Sequence, residues 1–158
     1  MASGNGIVVS SEPRGRFDEC IISGTPKPGT CMSRLAATEP VGGRYTYEAY
    51  NPSADGEQLA WGVLLPDDNQ GRAATAAYAA AERGFLYFPV NGDELNCLVA
   101  NIAGTGDAFA IGDKLMIDDG TGKLIATTGS PETESFEVLE TKAALTADTL
   151  VHVQYNGN

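Results

Sequence analysis

The sequence predicts a mainly β protein whose sheet closes into an antiparallel barrel or a β-tulip-like domain. Short apolar segments recur at regular spacing and are separated by turns, and the chain of 158 residues contains 19 glycines and 8 prolines to make those turns. Strand–helix–strand alternation is missing, so the sheet should be mainly antiparallel. Only one stretch is typical of a helix.

Two regions are predicted along the chain. Residues 1–18 are rich in Gly, Ser and Arg and contain one short apolar run, Ile7-Val8-Val9, so they should form an extended N-terminal arm. Residues 19–158 should form the β-rich domain, which at this size buries roughly 70% of its unfolded surface without a staple. The sequence itself shows no convincing internal repeat.

Ten segments are predicted as strands. Aromatic residues alternate at period two in residues 44–50, which places Tyr45 and Tyr47 on one face. The segment with the single tryptophan, Trp61, ends at Pro66. The ten segments are 19–24, 30–36, 44–50, 59–65, 85–90, 95–102, 114–117, 123–127, 135–141 and 149–155.

A short helix is predicted over residues 72–83, RAATAAYAAAER, because alanine has the highest helix propensity. Asp67, Asp68 and Asn69 precede it as capping residues, and Gly84 follows it as a stop. Its only large apolar side chain is Tyr78. It would therefore pack close against a sheet, and the alternative is an Ala-rich loop that becomes ordered only on assembly.

The segment 118–123, Asp-Asp-Gly-Thr-Gly-Lys, is predicted as a tight hairpin turn in which Gly120 and Gly122 take positive φ. A phosphate-binding loop would need Gly at position 117 and Ser or Thr at 124, where the sequence has Ile117 and Leu124. The spacing of its carboxylates also differs from that of a calcium loop, which leaves only weak surface calcium binding as an alternative.

Catalytic and metal-binding patterns are not found, and no enzyme activity or cofactor is expected. His152 is the only histidine, and it alternates with Val151 and Val153, which favours a surface or interface position over a catalytic base. Cys20, Cys31 and Cys97 lack paired zinc spacing. They are interpreted as buried reduced thiols, with one disulfide and a leftover thiol as the alternative.

Charge divides the chain unequally. The net charge is −11, yet residues 1–44 hold five basic and four acidic groups, whereas residues 45–158 hold five basic and seventeen. Such an acidic body argues against nucleic acid and anionic membranes as partners. No apolar run reaches the roughly 20 residues of a membrane span. The sequence does not begin with a signal-peptide pattern, so synthesis in a cytoplasm is expected.

The C-terminal third carries a family resemblance. Gly112-Asp113-Lys114-Leu115 leads into the hairpin turn, and a Phe136-Glu137-Val138-Leu139-Glu140 phrase and an Asp148-Thr149-Leu150-Val151 strand follow. This succession resembles the capsid decoration, or cement, proteins of tailed bacteriophages, and residues 24–30 near the start are also similar to them.

The resemblance implies a β-barrel or β-tulip-like structural protein of the virion. Proteins of this family usually bind the outer face of an icosahedral capsid as homotrimers and clamp neighbouring major capsid subunits. The expected partners are thus the major capsid protein and two further copies of the chain. From charge and hydrophobicity alone, Arg14, Arg16 and Phe17 are the predicted capsid contacts.

Two alternatives are retained. The chain could be another virion component, such as a head fibre base or a tail accessory protein. It could also be a carbohydrate-binding β-domain, with Trp61, Tyr45, Tyr47 and Tyr50 as the sugar platform, although aromatic residues of this kind are more often part of a core or an interface.

Overall fold

The computed structural model describes residues 6–9, 13–35, 39–51, 60–67, 73, 75–101, 108–127 and 136–157, and ten β-strands lie within them. Each strand overlaps one of the ten predicted segments, and β7 and β10 have the predicted bounds. The strands are β1 (Arg16–Ile22), β2 (Cys31–Arg34), β3 (Thr46–Ala49), β4 (Trp61–Leu64), β5 (Arg83–Phe88), β6 (Glu94–Val99), β7 (Lys114–Ile117), β8 (Leu124–Ala126), β9 (Phe136–Val138) and β10 (Thr149–Tyr155).

The strands form two closed five-stranded barrels. The first has the order β1-β3-β2-β4-β5 and the second the order β10-β6-β8-β7-β9, with the last strand of each pairing with the first. Only the β1–β3 and β6–β8 pairs are parallel. The prediction of a mainly antiparallel, barrel-like fold is therefore confirmed, but the chain closes two barrels where one was expected.

The two barrels repeat one topology and one register. In each, the first strand pairs in parallel with the third, and the other four pairings are antiparallel. Ser23 N donates to Tyr47 O in the first barrel, as Ala100 N donates to Leu124 O in the second. Ser23 and Ala100 are therefore equivalent, and Cys20 and Cys97, each three residues earlier in its strand, occupy equivalent positions. The structure thus contains an internal repeat, contrary to the reading of the sequence, because equivalent interior positions share apolar character more than identity.

Each barrel encloses its own apolar core. Tyr78, from the β4–β5 connection, is buried in the core of the first barrel. Phe109 and Leu145, also from connections between strands, are buried in the core of the second. Side chains that alternate along each strand fill the interior, as expected for small barrels. Those of the first barrel are Cys20, Ile22, Met32, Tyr47, Leu64 and Leu86, and those of the second include Leu95, Cys97, Val99, Leu115, Phe136, Val138, Val151 and Val153.

The barrels pack against each other through one continuous contact. Cys31, Val63 and Tyr87 point away from the first barrel and are fully buried in the core cluster of the second. Backbone hydrogen bonds cross the contact as well, from Cys31 N to Gly122 O and from Gly120 N to Tyr50 O, both 2.8 Å. Because this contact is both apolar and hydrogen-bonded, we expect the two barrels to behave as one rigid unit.

The predicted Ala-rich helix is wrong for the described part of residues 72–83, of which Arg72 and Ala74 lie outside the description. Residues 75–82 contain no helix, Ala81 has a φ of 65°, and Arg83 opens strand β5. Tyr78 explains the difference, since its ring is buried and its hydroxyl donates to Leu65 O at 2.8 Å. Anchoring this one large side chain in the barrel overrides the helix propensity of the alanines around it.

An extended N-terminal arm is not confirmed in residues 6–9 and 13–18, the described part of 1–18. Ile7 is buried in the core of the second barrel, and Asn96 N donates to Ile7 O at 2.7 Å. Arg16, Phe17 and Asp18 belong to strand β1. Both parts of the segment therefore contact the domain that follows them.

Candidate docking surface

The three predicted contact residues lie together at the start of β1, on the outside of the molecule. The side chains of Arg14 and Arg16 are 62% and 67% exposed, and Phe17 is 55% exposed. Because successive residues of a strand point to opposite faces, Arg16 and Phe17 flank the strand from two sides.

Arg16 belongs to a rim of stacked cations and aromatic rings at the open end of the first barrel. Its guanidinium lies 4.6 Å from the centre of the Phe88 ring, and the Arg34 guanidinium lies 4.7 Å from that of Tyr45. Each contact of this kind contributes about 0.5–1 kcal/mol at an exposed site. We call this set, Arg16, Arg34, Tyr45, Tyr47 and Phe88, the arginine–aromatic rim.

Tyr47 lies at the centre of the rim. Its ring packs edge-on against Phe88 with centroids 6.1 Å apart. Burial raises the pKa of Tyr47, as does the nearby Asp18 carboxylate, while the guanidiniums of Arg34 and Arg16 oppose that rise.

Arg14 and Phe17 cover a buried polar network between the barrels. Asp93 is 1% exposed and accepts hydrogen bonds from Tyr87 Oη at 2.6 Å and Val90 N at 2.9 Å. Burial and the hydrogen bond to Asp93 raise the pKa of Tyr87 to about 12. The Phe17 ring lies 4.8 Å from the Tyr87 ring, and Arg14 Nε is 3.9 Å from the Asp93 carboxylate. This network holds the start of β1 in place.

Two further arginines contact β1 through Glu19, in the middle of the strand. Arg44 and Arg83 both pair with the carboxylate of Glu19, Arg83 at 3.5 Å. The exposed side chain of Val41 lies in the turn that precedes Arg44. The first barrel therefore gathers arginines and exposed apolar side chains around β1, in a chain whose net charge is −11.

The predicted hairpin at 118–123 forms one wall of a cleft between the barrels, with a volume of about 420 Å³. Its glycines have the predicted positive φ, 89° at Gly120 and 65° at Gly122. Lys123 pairs with Asp148 at 2.6 Å, and Thr121 Oγ1 donates to Asp118 at 2.5 Å. The hairpin thus uses its polar groups within the fold, and the prediction that it is a turn is confirmed.

The other residues considered for chemistry have structural partners. The side chain of His152 points to the face of β10 opposite to that of its buried neighbours, as predicted. Its Nε2 is 3.0 Å from Glu94 Oε2. All three cysteines are buried and free, which confirms that interpretation, and burial raises the pKa of the Cys20 thiol to about 12. Within the described ranges, no three His, Cys, Asp or Glu side chains converge as metal ligands, and no helix could span a membrane.

The four aromatic residues of the carbohydrate hypothesis are not brought together as one platform. Trp61 stacks edge-on with Phe136 and Tyr155, with centroids 5.9 and 5.3 Å apart, at the contact between the barrels. Tyr47 is buried in the first barrel, whereas Tyr45 is exposed on its rim.

Sequence reasoning placed Arg16 and Phe17 on the surface and considered Tyr45 only as part of a sugar platform, but it missed Arg34 and Phe88. Arg34 and Phe88 lie on β2 and β5, and Tyr45 directly precedes β3, so only the pairing of β3 with β2 and of β1 with β5 brings them into the rim. The alternation of Tyr45 and Tyr47 was the one available signal.

In comparisons with known proteins, no protein-family model matches the chain, and no curated protein shows significant similarity to it.

Proposed function

We propose that this protein is a structural component of a tailed-phage virion that binds the outer face of the capsid and clamps neighbouring major capsid subunits as a homotrimer. The observation that carries the proposal is the concentration of exposed arginines and apolar side chains around β1 in an otherwise acidic chain. Arginine and aromatic residues are enriched where proteins bind other proteins.

The rigid architecture also suits a clamp. In the described part of the chain the two closed barrels leave no long free sheet edge, which limits unwanted strand pairing at high local concentration. The acidic second barrel would face solvent and repel its neighbours, while the rim and Phe17 face the capsid. Three copies acting together would bind more tightly than one, since the second and third contacts become intramolecular.

Arg16 and Phe17 are the central contacts in this proposal, with Arg14 beside them. Both side chains are more than half exposed. An arginine that already stacks on Phe88 is held in place before binding, so it loses little side-chain entropy when it meets a carboxylate on the capsid.

The test is binding of the purified chain to preformed capsid shells, followed by co-sedimentation. The double variant Arg16→Glu/Phe17→Ala should bind at least about tenfold more weakly, the usual effect of losing central interface residues. The matched control is Ile111→Ala, which removes a 66% exposed apolar side chain outside the first barrel. Point substitutions are required because deletion of residues 1–18 would also remove Ile7 from the core.

Unchanged binding by the double variant would contradict the proposed surface. Labelling of intact virions provides the second measurement, since detection only on the tail would favour a tail accessory protein. Light scattering of the chain in solution should give three times the mass of one chain, and a monomer that binds no shell would contradict the whole proposal.

A further inference from the structure

The start of the first strand is completed differently in the two barrels. In the second barrel, β8 pairs with β6 only at Val99, and Leu98 N donates to Gly29 O. An extended segment from outside the barrel takes the place after that along β6. Val9 N donates to Glu94 O at 2.9 Å, and Asn96 N donates to Ile7 O at 2.7 Å. Residues 7–9 thus add an antiparallel strand where the barrel's own third strand has ended.

The equivalent place in the first barrel lies beside Phe17 and Glu19. The shared register, in which Ser23 corresponds to Ala100, makes Phe17 equivalent to Glu94 and Glu19 equivalent to Asn96. Strand β3 pairs with β1 only at Ile21 and Ile22. Before β3 the chain forms a tight turn of its own, in which Val41 and Arg44 bond to each other.

The backbone of Phe17 and Glu19 faces this place. Ile22 N donates to Glu82 O, towards β5, whereas Ile21 N donates to Tyr45 O, towards β3. Since alternate residues of a strand direct their backbone groups to opposite sides, Phe17 and Glu19 face the same side as Ile21. Among the described residues no strand pairs with them there, and Glu19 N donates instead to the carboxylate of the preceding Asp18, at 2.9 Å.

We propose that this edge, Phe17 to Glu19, is a slot that accepts one extended acidic strand from the protein on which the chain docks. The inference deepens the proposed function and rests on it, since the strand would belong to that partner. An incoming strand would take hydrogen bonds at Phe17 and Glu19 and run antiparallel to β1, as residues 7–9 do along β6.

Charge determines the kind of strand. Three arginines, Arg16, Arg44 and Arg83, lie beside the slot and pair with only two acids, Asp18 and Glu19, in a chain whose net charge is −11. Acidic side chains of the incoming strand would meet Arg16 on one face of β1, and Arg44 and Arg83 beside Glu19 on the other, while an apolar side chain would cover exposed Phe17.

A second copy of the chain is the less suitable occupant. Its own short apolar strand, residues 7–9, already pairs with β6 of its own second barrel. Donating that segment to a neighbour would leave the buried position of Ile7 empty.

The test uses the full chain and a peptide of about ten residues that alternates Glu and Val, a length that spans the edge of a strand. A peptide that alternates Lys and Val is the control. Titration should show that the Glu–Val peptide binds and protects the Phe17 amide from hydrogen exchange, while the Lys–Val peptide does neither. Phe17→Pro removes the N–H that faces the slot, and Phe17→Ala, its matched control, removes the ring and keeps that N–H.

Relative to Phe17→Ala, the Phe17→Pro variant should bind the Glu–Val peptide about tenfold more weakly, since one backbone hydrogen bond is lost and the proline ring obstructs the strand. If Phe17→Pro does not fold, Arg16→Glu tests the same slot with the backbone intact and should also weaken binding. Equal affinity of Phe17→Pro and Phe17→Ala, or of the two peptides, would overturn the proposal.

Protection of the Phe17 amide that grows with protein concentration in the absence of peptide would also overturn it, because a second copy would then fill the slot. The peptide titration does not depend on capsid shells. If only the slot proposal is wrong, the Glu–Val peptide will not bind but the unmodified chain will still bind capsid shells. If the proposed function is wrong, the chain will not bind shells, and the peptide can still bind.

Discussion

The first and second barrels share a strand order and a register, yet they differ in what surrounds them. The first carries the exposed arginines and aromatic rings at its open end, and the start of its β1 strand pairs with β5 on one edge but with no strand on the other edge among the described residues. The second is completed by residues 7–9 and contains no arginine. The same topology thus serves two purposes, a closed supporting barrel and a barrel with a surface suited to binding.

The sharpest test of this comparison is whether the barrels unfold together. Phe136→Ala should lower the free energy of unfolding by about 3–5 kcal/mol, because it opens a cavity in the second core and removes a ring that contacts Trp61 of the first barrel. Trp61 is the only tryptophan. Unfolding curves followed by Trp61 fluorescence and by far-ultraviolet circular dichroism should therefore have the same midpoint. Two separate transitions would show that the barrels unfold independently.

The contact between the barrels can be tested at one glycine. A Cβ at Gly122, where φ is 65°, would lie 2.1 Å from Cys31 O of the first barrel, so Gly122→Ala should cost about 3 kcal/mol through strain and overpacking. Gly120→Ala is the control, since φ is 89° there but nothing lies within 4 Å. It should cost only about 1 kcal/mol. Denaturant titration of both variants measures the difference, and equal losses would contradict the packing described for this contact.

The equivalence of the two interiors predicts similar costs at superimposed positions. Cys20 and Cys97 are both fully buried. Replacing either by serine places a hydroxyl in an apolar core and should lower the free energy of unfolding by about 1–3 kcal/mol. Thermal unfolding of the two variants measures this. A loss at one position without a loss at the other would break the equivalence.

The smallest expected effect concerns pH and the cleft between the barrels. Burial opposes the shift, but the ion pair with Lys123 and the hydrogen bond from Asn101 N lower the pKa of Asp148. A carboxyl group whose pKa is lower in the folded state stabilises the fold at pH values above its unfolded pKa of about 3.9. This stabilisation is lost as the pH falls through its folded pKa. Asp148→Asn should therefore cost at most about 1 kcal/mol at pH 7, because the pair is screened by solvent, and the difference from the unmodified chain should shrink below about pH 3.9 and be lost at a pH below the folded pKa. A difference that persists at that pH would contradict the assignment.

The candidate surface was predictable only in part. Arg16 and Phe17 stood out in the sequence because an arginine and an aromatic residue lie side by side in a polar segment. Arg34 and Phe88 carried no such signal, since each becomes part of the rim only after its strand pairs with another. The unpaired edge at Phe17 and Glu19 was not predictable either, because it depends on how far β3 extends along β1 once the strands have closed into a barrel.

The sequence alone determined the ten strands, the turn at 118–123 and the burial of the three cysteines. These follow from local alternation, from glycine at positions of positive φ and from the apolar character of thiols. Only the tertiary structure decided that the strands close into two barrels of one topology. It also decided that Tyr78 holds an Ala-rich segment against the core of the first barrel in place of a helix, and that Ile7 is buried in the core of the second. The physical reason is that these features depend on contacts between residues far apart in the chain, which stabilise the fold by more than the local propensities they override.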